Sequence, residues 1–259
     1  MINLADISTR APKEFDKKET KDATEKLLTE LDDLQNVLYA ESKHAVLIIL
    51  QGMDASGKDG AIRHVFSGIN PQGIRVTSFK VPTEEELKHD FLWRIHPHAP
   101  AKGMIQIFNR SQYEDVLVTR VHDIIDDATA AQRFDAINHF EELLTLHNAT
   151  TILKFYLHIS PEEQQERFKE RLIDPHKHWK YNANDFAEAK LWEQYRQAYD
   201  DVFENCNAIP WTIVPADQNW YKEYIITQKL VETLKGLNMQ YPDLQSPVNK
   251  EMEESAENN

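Results

Sequence analysis

Six apolar residues, Ala45–Leu50, run directly into Gln51-Gly-Met-Asp-Ala-Ser-Gly-Lys-Asp-Gly60, and no other stretch limits the possible folds of this chain so tightly. The apolar run reads as a buried strand, and Gly52 with Gly57-Lys58 has the spacing of a Walker A phosphate cradle. In such a loop the backbone N–H groups, here from Gly52 through Ala55, Ser56, Gly57, Lys58, Asp59 and Gly60, wrap phosphate oxygens, and the next helix turns its positive end to the same anion. Lys58 would pair with the oxygens of a transferring phosphate. Two residues depart from the usual loop. Asp59 stands where a Ser or Thr hydroxyl normally meets Mg²⁺, and Asp54 puts a second carboxylate inside the cradle. At about 4 Å, two like charges repel by on the order of 4 kcal/mol at an effective dielectric of 20. A bridging Mg²⁺ turns that repulsion into attraction, because it binds hard oxygens of carboxylate and phosphate together. Asp54 is therefore the first candidate for a metal ligand or nucleophile-orienting group. Asp59 is a candidate second ligand, or a partner of the helix dipole.

At 259 residues the chain suits one α/β domain, alone or with an appendage. Cys206 is its only cysteine, which excludes an internal disulfide and fits a reducing cytoplasm. Met1–Phe15 lacks the apolar core of a secretion signal, and no apolar run approaches membrane-spanning length, so no membrane partner is expected. A net charge of −14 argues against nucleic acid as a partner. The same charge repels phosphates at long range, so basic residues should be gathered locally. Arg167–Lys180 answers this with five cations (Arg167, Lys169, Arg171, Lys177, Lys180) against Glu170 and Asp174.

Strand and helix patterns alternate along the chain. Residues 1–44 read as an N-terminal helical extension, with Leu27, Leu31, Leu34 and Leu38 on one face of a helix over 14–40. Strands are expected at 45–50, 74–79, 104–108, 150–159 and 211–214. Helices are expected from 58, over 84–96 behind a Thr83/Glu86 capping box, over 129–147, from Ser160-Pro161 onward, from an Asn184 cap to Asn205, and up to Leu237. This order predicts a parallel sheet of about five strands covered by helices on both faces, with 161–205 able to project as a lid. The polar, acidic tail over 241–259 is expected to be disordered.

Asn109-Arg110-Ser111 falls at a strand end, where parallel sheets bind ligands. Arg110 there either clamps an acceptor phosphate bidentately or forms a surface ion pair. Glu114, Asp115 and Arg120 follow at helical spacing; one of the acids completes a metal site, or the set is a ligand-free surface. His89, His96 and His98 lack any zinc-binding pattern and read as packing or capping residues. Trp93 and Trp192 read as packing residues too, while Trp179, between Lys177 and Lys180, stays open as a stacking platform.

Four segments together resemble the polyphosphate kinase 2 family: Gly52–Gly60, Phe79–Arg94, Phe108–Ser111 with Tyr113–Val116, and Asp174-Pro-His-Lys-His-Trp-Lys180. The resemblance runs over about 45–240 and is greatest to the subgroup described as polyphosphate:nucleotide phosphotransferases. It implies a P-loop kinase-like three-layer α/β/α fold with a helical lid, Mg²⁺ as cofactor, and a homo-oligomer. It also implies transfer of the terminal phosphate of inorganic polyphosphate to a nucleoside mono- or diphosphate (AMP or ADP, GMP or GDP), or the reverse. Asp54, Lys58 and Asp59 match the family's loop, Arg110 its strand-end motif, and Arg171, Lys177 and Lys180 its basic lid, with Arg167 beside them. On this reading Arg110 and Arg120 hold the acceptor, and the lid cations hold the donor. Asn219, Lys222 and Gln112 depart from the family pattern. The rival readings are an ATP-dependent nucleoside monophosphate kinase and a non-catalytic nucleotide-binding protein.

Overall fold

The Ala45–Gln51 strand (β1) is buried along its whole length, because it lies at the centre of a five-stranded sheet with neighbours on both sides. In the computed structural model, which describes residues 2–243, the other strands are Ile74–Ser78 (β2), Ile105–Asn109 (β3), Thr150–His158 (β4) and Trp211–Pro215 (β5). All pair in parallel, in the order β2-β3-β1-β4-β5. Parallel neighbours require crossovers, and helices supply them on both faces, giving the three-layer α/β/α fold. The chain moves to opposite sides of β1 to reach β3 and β4, so the carboxyl end of β1 is a topological switch point. The register sets Leu50 beside Asn109 and Gln51 beside Tyr156, which brings the β1 and β3 turns together.

The helices are Lys17–Glu41 (α1), Lys58–Val65 (α2), Glu114–Val121 (α3), Asp127–Asn148 (α4), Pro161–Ile173 (α5), Ala183–Glu188 (α6), Trp192–Asn205 (α7) and Asn219–Gly236 (α8). Leu31 and Leu38 bury the expected face of α1, which lies along α8. Ser160 caps α5 by accepting the Glu163 N–H at 3.1 Å.

Two expected elements differ. The Thr83/Glu86 capping box forms, with Glu86 accepting the Thr83 N–H at 2.7 Å, but no α-helix follows over 84–96. The Asp90 carboxylate takes the N–H groups of Leu92 and Trp93 and starts a new turn, so the segment contains only short 3₁₀ turns. The helix expected from Asn184 to Asn205 is broken: Asn182, not Asn184, is the cap, and a 3₁₀ turn at Ala189–Leu191 separates α6 from α7. Moreover, α7 is part of the core rather than of a lid. Tyr199 and Phe203 pack on Tyr156 of β4, with ring centroids 4.6 and 5.2 Å away. The expected disordered tail lies outside the described residues from 244 onward. No described helix is long and apolar enough to cross a membrane.

Candidate active site

The glycine loop turns sharply at the end of β1, and two positions there require glycine. Gly52 has φ +147°, and a Cβ on it would lie 2.7 Å from the Leu157 carbonyl. Gly57, at φ +93°, leads into α2, and a Cβ on it would lie 2.6 Å from Lys222 Nζ. The Gly52 N–H donates to Tyr199 Oη at 3.1 Å, and that hydroxyl donates to Gln51 Oε1 at 3.3 Å. Lys58 is buried and folds back on its own loop, donating to the Gly52 and Met53 carbonyls at 2.8 and 3.2 Å and to Ser56 Oγ at 3.4 Å. Burial, reinforced by the charge of Arg110, pushes its ammonium down to about 8.

Arg110 joins the two acids that flank the loop. Its N–H donates to the Leu50 carbonyl, and the residue adopts φ +63°, a strained conformation without glycine's freedom. The guanidinium then spans Asp54 Oδ1 at 2.5 Å and Glu114 Oε2 at 2.8 Å. Glu114, and then Asp54, hold Arg110 charged against the cost of its burial. Asp59 accepts from Asn109 Nδ2 at 2.7 Å and faces Lys180 Nζ at 3.7 Å.

Other predicted residues are placed elsewhere. Asp115 points away toward Arg133 at 3.9 Å, lines neither of the cavities beside the loop, and burial raises its carboxyl to about 6. Arg120, expected to hold the acceptor, is engaged by Asp201 at 2.6 Å and Asp127 at 2.9 Å and also lines neither cavity. The charges that attract it come from α4 and α7, which sequence spacing does not reveal.

Two cavities meet at Asp54 and Arg110. One is broad and open, about 570 Å³, lined by eight basic and five acidic side chains, although the whole protein carries −14. It gathers the loop, Lys80, Arg167, Arg171, Lys177, Lys180 and Lys222. The other is about 30 Å³, walled by Glu114, Trp192, Tyr195 and Tyr199, with room for a water or two but not for a nucleoside. The cations of the broad cavity are not equally available. Arg171 is tied to Asp185, and Lys177 to Glu170 at 2.6 Å. Arg167 donates to the Ala55 and Ala216 carbonyls at 2.8 and 2.6 Å and so braces the loop.

Sequence reasoning missed Lys222, read only as a departure from the family pattern; it is fully buried and donates to the Gly57 carbonyl at 3.2 Å. It also missed Gln164, which donates to the Asp54 carbonyl at 2.9 Å, and Tyr199. For Lys222, one turn into the helix after β5, the signal was its place at a strand's carboxyl end. Gln112 is buried and donates to Glu141, which also binds Lys154 at 2.9 Å beneath the Arg110 turn. His89 stacks on Trp93, while His96 and His98 pack edge-on against Phe140 and Phe79. Trp179 lines the broad cavity and is 77% exposed. Among the described residues no group of three or more His, Cys, Asp or Glu is arranged to hold a metal ion by itself.

The sequence model of the family described as polyphosphate kinase 2 (PPK2) matches residues 14–242. The AMP/ADP-polyphosphate phosphotransferase of Meiothermus ruber is 50% identical over 214 residues, covering 82% of this chain and 80% of its own. The ADP-polyphosphate phosphotransferase of Rhodopseudomonas palustris is 44% identical over 236 residues, covering 86% and 81%. Among solved structures, polyphosphate kinase 2 from Arthrobacter aurescens TC1 superposes with a TM-score of 0.93 at 41% identity, covering 99% of this chain and 93% of that one.

Proposed function

This chain belongs to the polyphosphate kinase 2 family, and from that membership we propose that it transfers the terminal phosphate of inorganic polyphosphate to AMP and ADP, with GMP and GDP as further acceptors, in a reversible reaction. It is a phosphotransferase. The observation that carries the choice of donor is the broad cavity, where the loop opens among eight basic side chains, more than a nucleoside triphosphate needs.

The donor chain would lie in that cavity with its terminal phosphate against the loop. An acceptor phosphate oxygen would attack the terminal phosphorus in line, a new P–O bond forming as the bond to the shortened chain breaks and that chain leaves as an anion. Catalysis is then positioning and charge neutralisation. Lys58 would release the Gly52 and Met53 carbonyls and pair with the transferring phosphate. Arg110, held between Asp54 and Glu114 in the free protein, would turn part of its fork to the acceptor phosphate. The acceptor enters through the broad cavity, since the small one has no room for it.

Mg²⁺ fits this donor set. Asp54 and Glu114 present partly exposed carboxylates beside the loop, and Mg²⁺ is commonly held by one or two carboxylates plus substrate phosphates rather than by an all-protein cage. Asp54, with Asp59 or Glu114, would hold it, and when bound it would neutralise charge on the transferring phosphate. We take the enzyme to work in the cytoplasm as a homo-oligomer, without nucleic acid or membrane, on the support of the lone cysteine, the net charge and the family.

The test is to incubate protein, Mg²⁺ and polyphosphate with each nucleotide in the absence of ATP. ADP formed from AMP, and ATP from ADP, is the expected result. Phosphorylation of AMP by ATP but not by polyphosphate would overturn the reading in favour of a nucleoside monophosphate kinase.

A further inference from the structure

Three features beside the loop leave positive charge that the protein's own carboxylates only partly offset. Lys222 is fully buried, yet among the described residues its Nζ meets only neutral oxygens, of Gly57 at 3.2 Å and Asn219 at 2.8 Å. Arg167 approaches the same face of the glycine: a Cβ on Gly57 would lie 2.6 Å from Lys222 Nζ and 3.2 Å from Arg167 Nη1. Two cations converging on one glycine, one of them buried without a carboxylate partner, make a costly arrangement that an anion relieves. Secondly, Asn219 lines both the broad cavity and an adjoining open groove of about 510 Å³, where Lys17, Lys21 and His64 stand against the single acid Glu223. Thirdly, Lys17 is the first residue of α1 and Lys21 lies one turn on, where the helix dipole disfavours cations. Helix stability therefore does not account for these lysines.

We propose that this groove is a distal subsite for the inorganic phosphate chain. The chain runs from the loop through the broad cavity past Arg167, with the buried Lys222 lending its charge from beneath, turns at Asn219, which both cavities share, and rests its distal phosphates on Lys17, Lys21 and His64. No bond is made or broken there; the subsite supplies grip on long donors. The inference rests on polyphosphate being the donor, and it extends the site beyond the broad cavity to α1.

The test compares the wild type with Lys17→Glu/Lys21→Glu and with a control of equal charge change, Lys43→Glu/Lys102→Glu, whose exposed lysines precede β1 and β3 at the opposite end of the sheet. For each protein the ratio of kcat/KM with long-chain polyphosphate to that with tripolyphosphate is measured. Calorimetry measures long-chain binding, without nucleotide, as salt is raised. For Lys17→Glu/Lys21→Glu the ratio should fall about fivefold, and the log–log salt slope should become shallower by on the order of one to two. Its Tm should change little, because glutamate suits the start of α1 while the attraction of Lys21 to Glu223 is lost. The control should keep the wild-type ratio. An unchanged ratio in Lys17→Glu/Lys21→Glu, or an equal fall in the control, overturns the distal subsite while leaving the polyphosphate reading intact. A wild type that uses neither phosphate donor overturns that reading itself.

Discussion

Lys58 holds its charge almost wholly buried at the edge of the broad cavity, and among the described residues three neutral oxygens of its own loop are its only hydrogen-bond partners. Burial pushes it and Lys222 down to about 8 from an ordinary 10.5. Both must be cationic to hold phosphate, so kcat/KM should fall as pH rises through about 8, and Lys58→Arg should make that limb shallower, leaving Lys222 alone to set it. Stability should run the other way. Between about 8 and 10.5 the unfolded chain binds more protons at these two residues than the folded one, so their contribution rises with pH across that window. A pH series of kcat/KM and Tm on the same protein checks both signs. Asp54→Asn should lower kcat by about a hundredfold or more and weaken Mg²⁺ binding in calorimetry, while the fold persists. Near-wild-type turnover would remove Asp54 from the metal site.

At the scale of elements, the loop is held by neighbours from far along the chain. Arg167 of α5 ties the Ala55 carbonyl to the end of β5, and its Nε pairs with Glu163 at 2.8 Å. Hydrogen bonds from a charged donor contribute about 1.5–3 kcal/mol each, so Arg167→Ala should lower Tm by several degrees and raise the donor KM. Gly57→Ala should abolish activity, since its methyl group would meet Lys222 Nζ in a backbone conformation that alanine disfavours. Beneath the Arg110 turn, Lys154 of β4 bonds Glu141 Oε2 at 2.9 Å and Tyr113 Oη at 3.0 Å, with both ions buried. Glu141→Gln leaves an unpaired buried ammonium and should cost about 3–5 kcal/mol in denaturant titration. Elements with strong local signals were readable in sequence: the apolar β1, the leucine face of α1, and the Ser160 cap of α5. The helix expected over 84–96 failed because the Asp90 carboxylate competes for N–H groups that continued helix would leave to the backbone.

Over the whole molecule, a protein of −14 concentrates cations around one cavity, so attraction to the donor acts at short range across a repulsive far field. Added salt should therefore weaken long-chain polyphosphate steeply and tripolyphosphate less, which the KM of each donor at rising ionic strength will show. The sequence alone determined the phosphate loop, the alternation of strand and helix, the cationic segment after β4, and the family to which they belong, because each is written in residues close together in the chain. Tertiary structure alone decided which charges meet. Arg110 reaches Asp54 across 56 positions, Lys222 reaches Gly57 across 165, and Arg120 is drawn to Asp201 instead of to the cavity. Short-range sterics and hydrogen bonding set helix and strand periods, but they carry no record of strand order. It is the order β2-β3-β1-β4-β5, with the loops it gathers at the carboxyl end of β1, that makes neighbours of residues so distant in sequence.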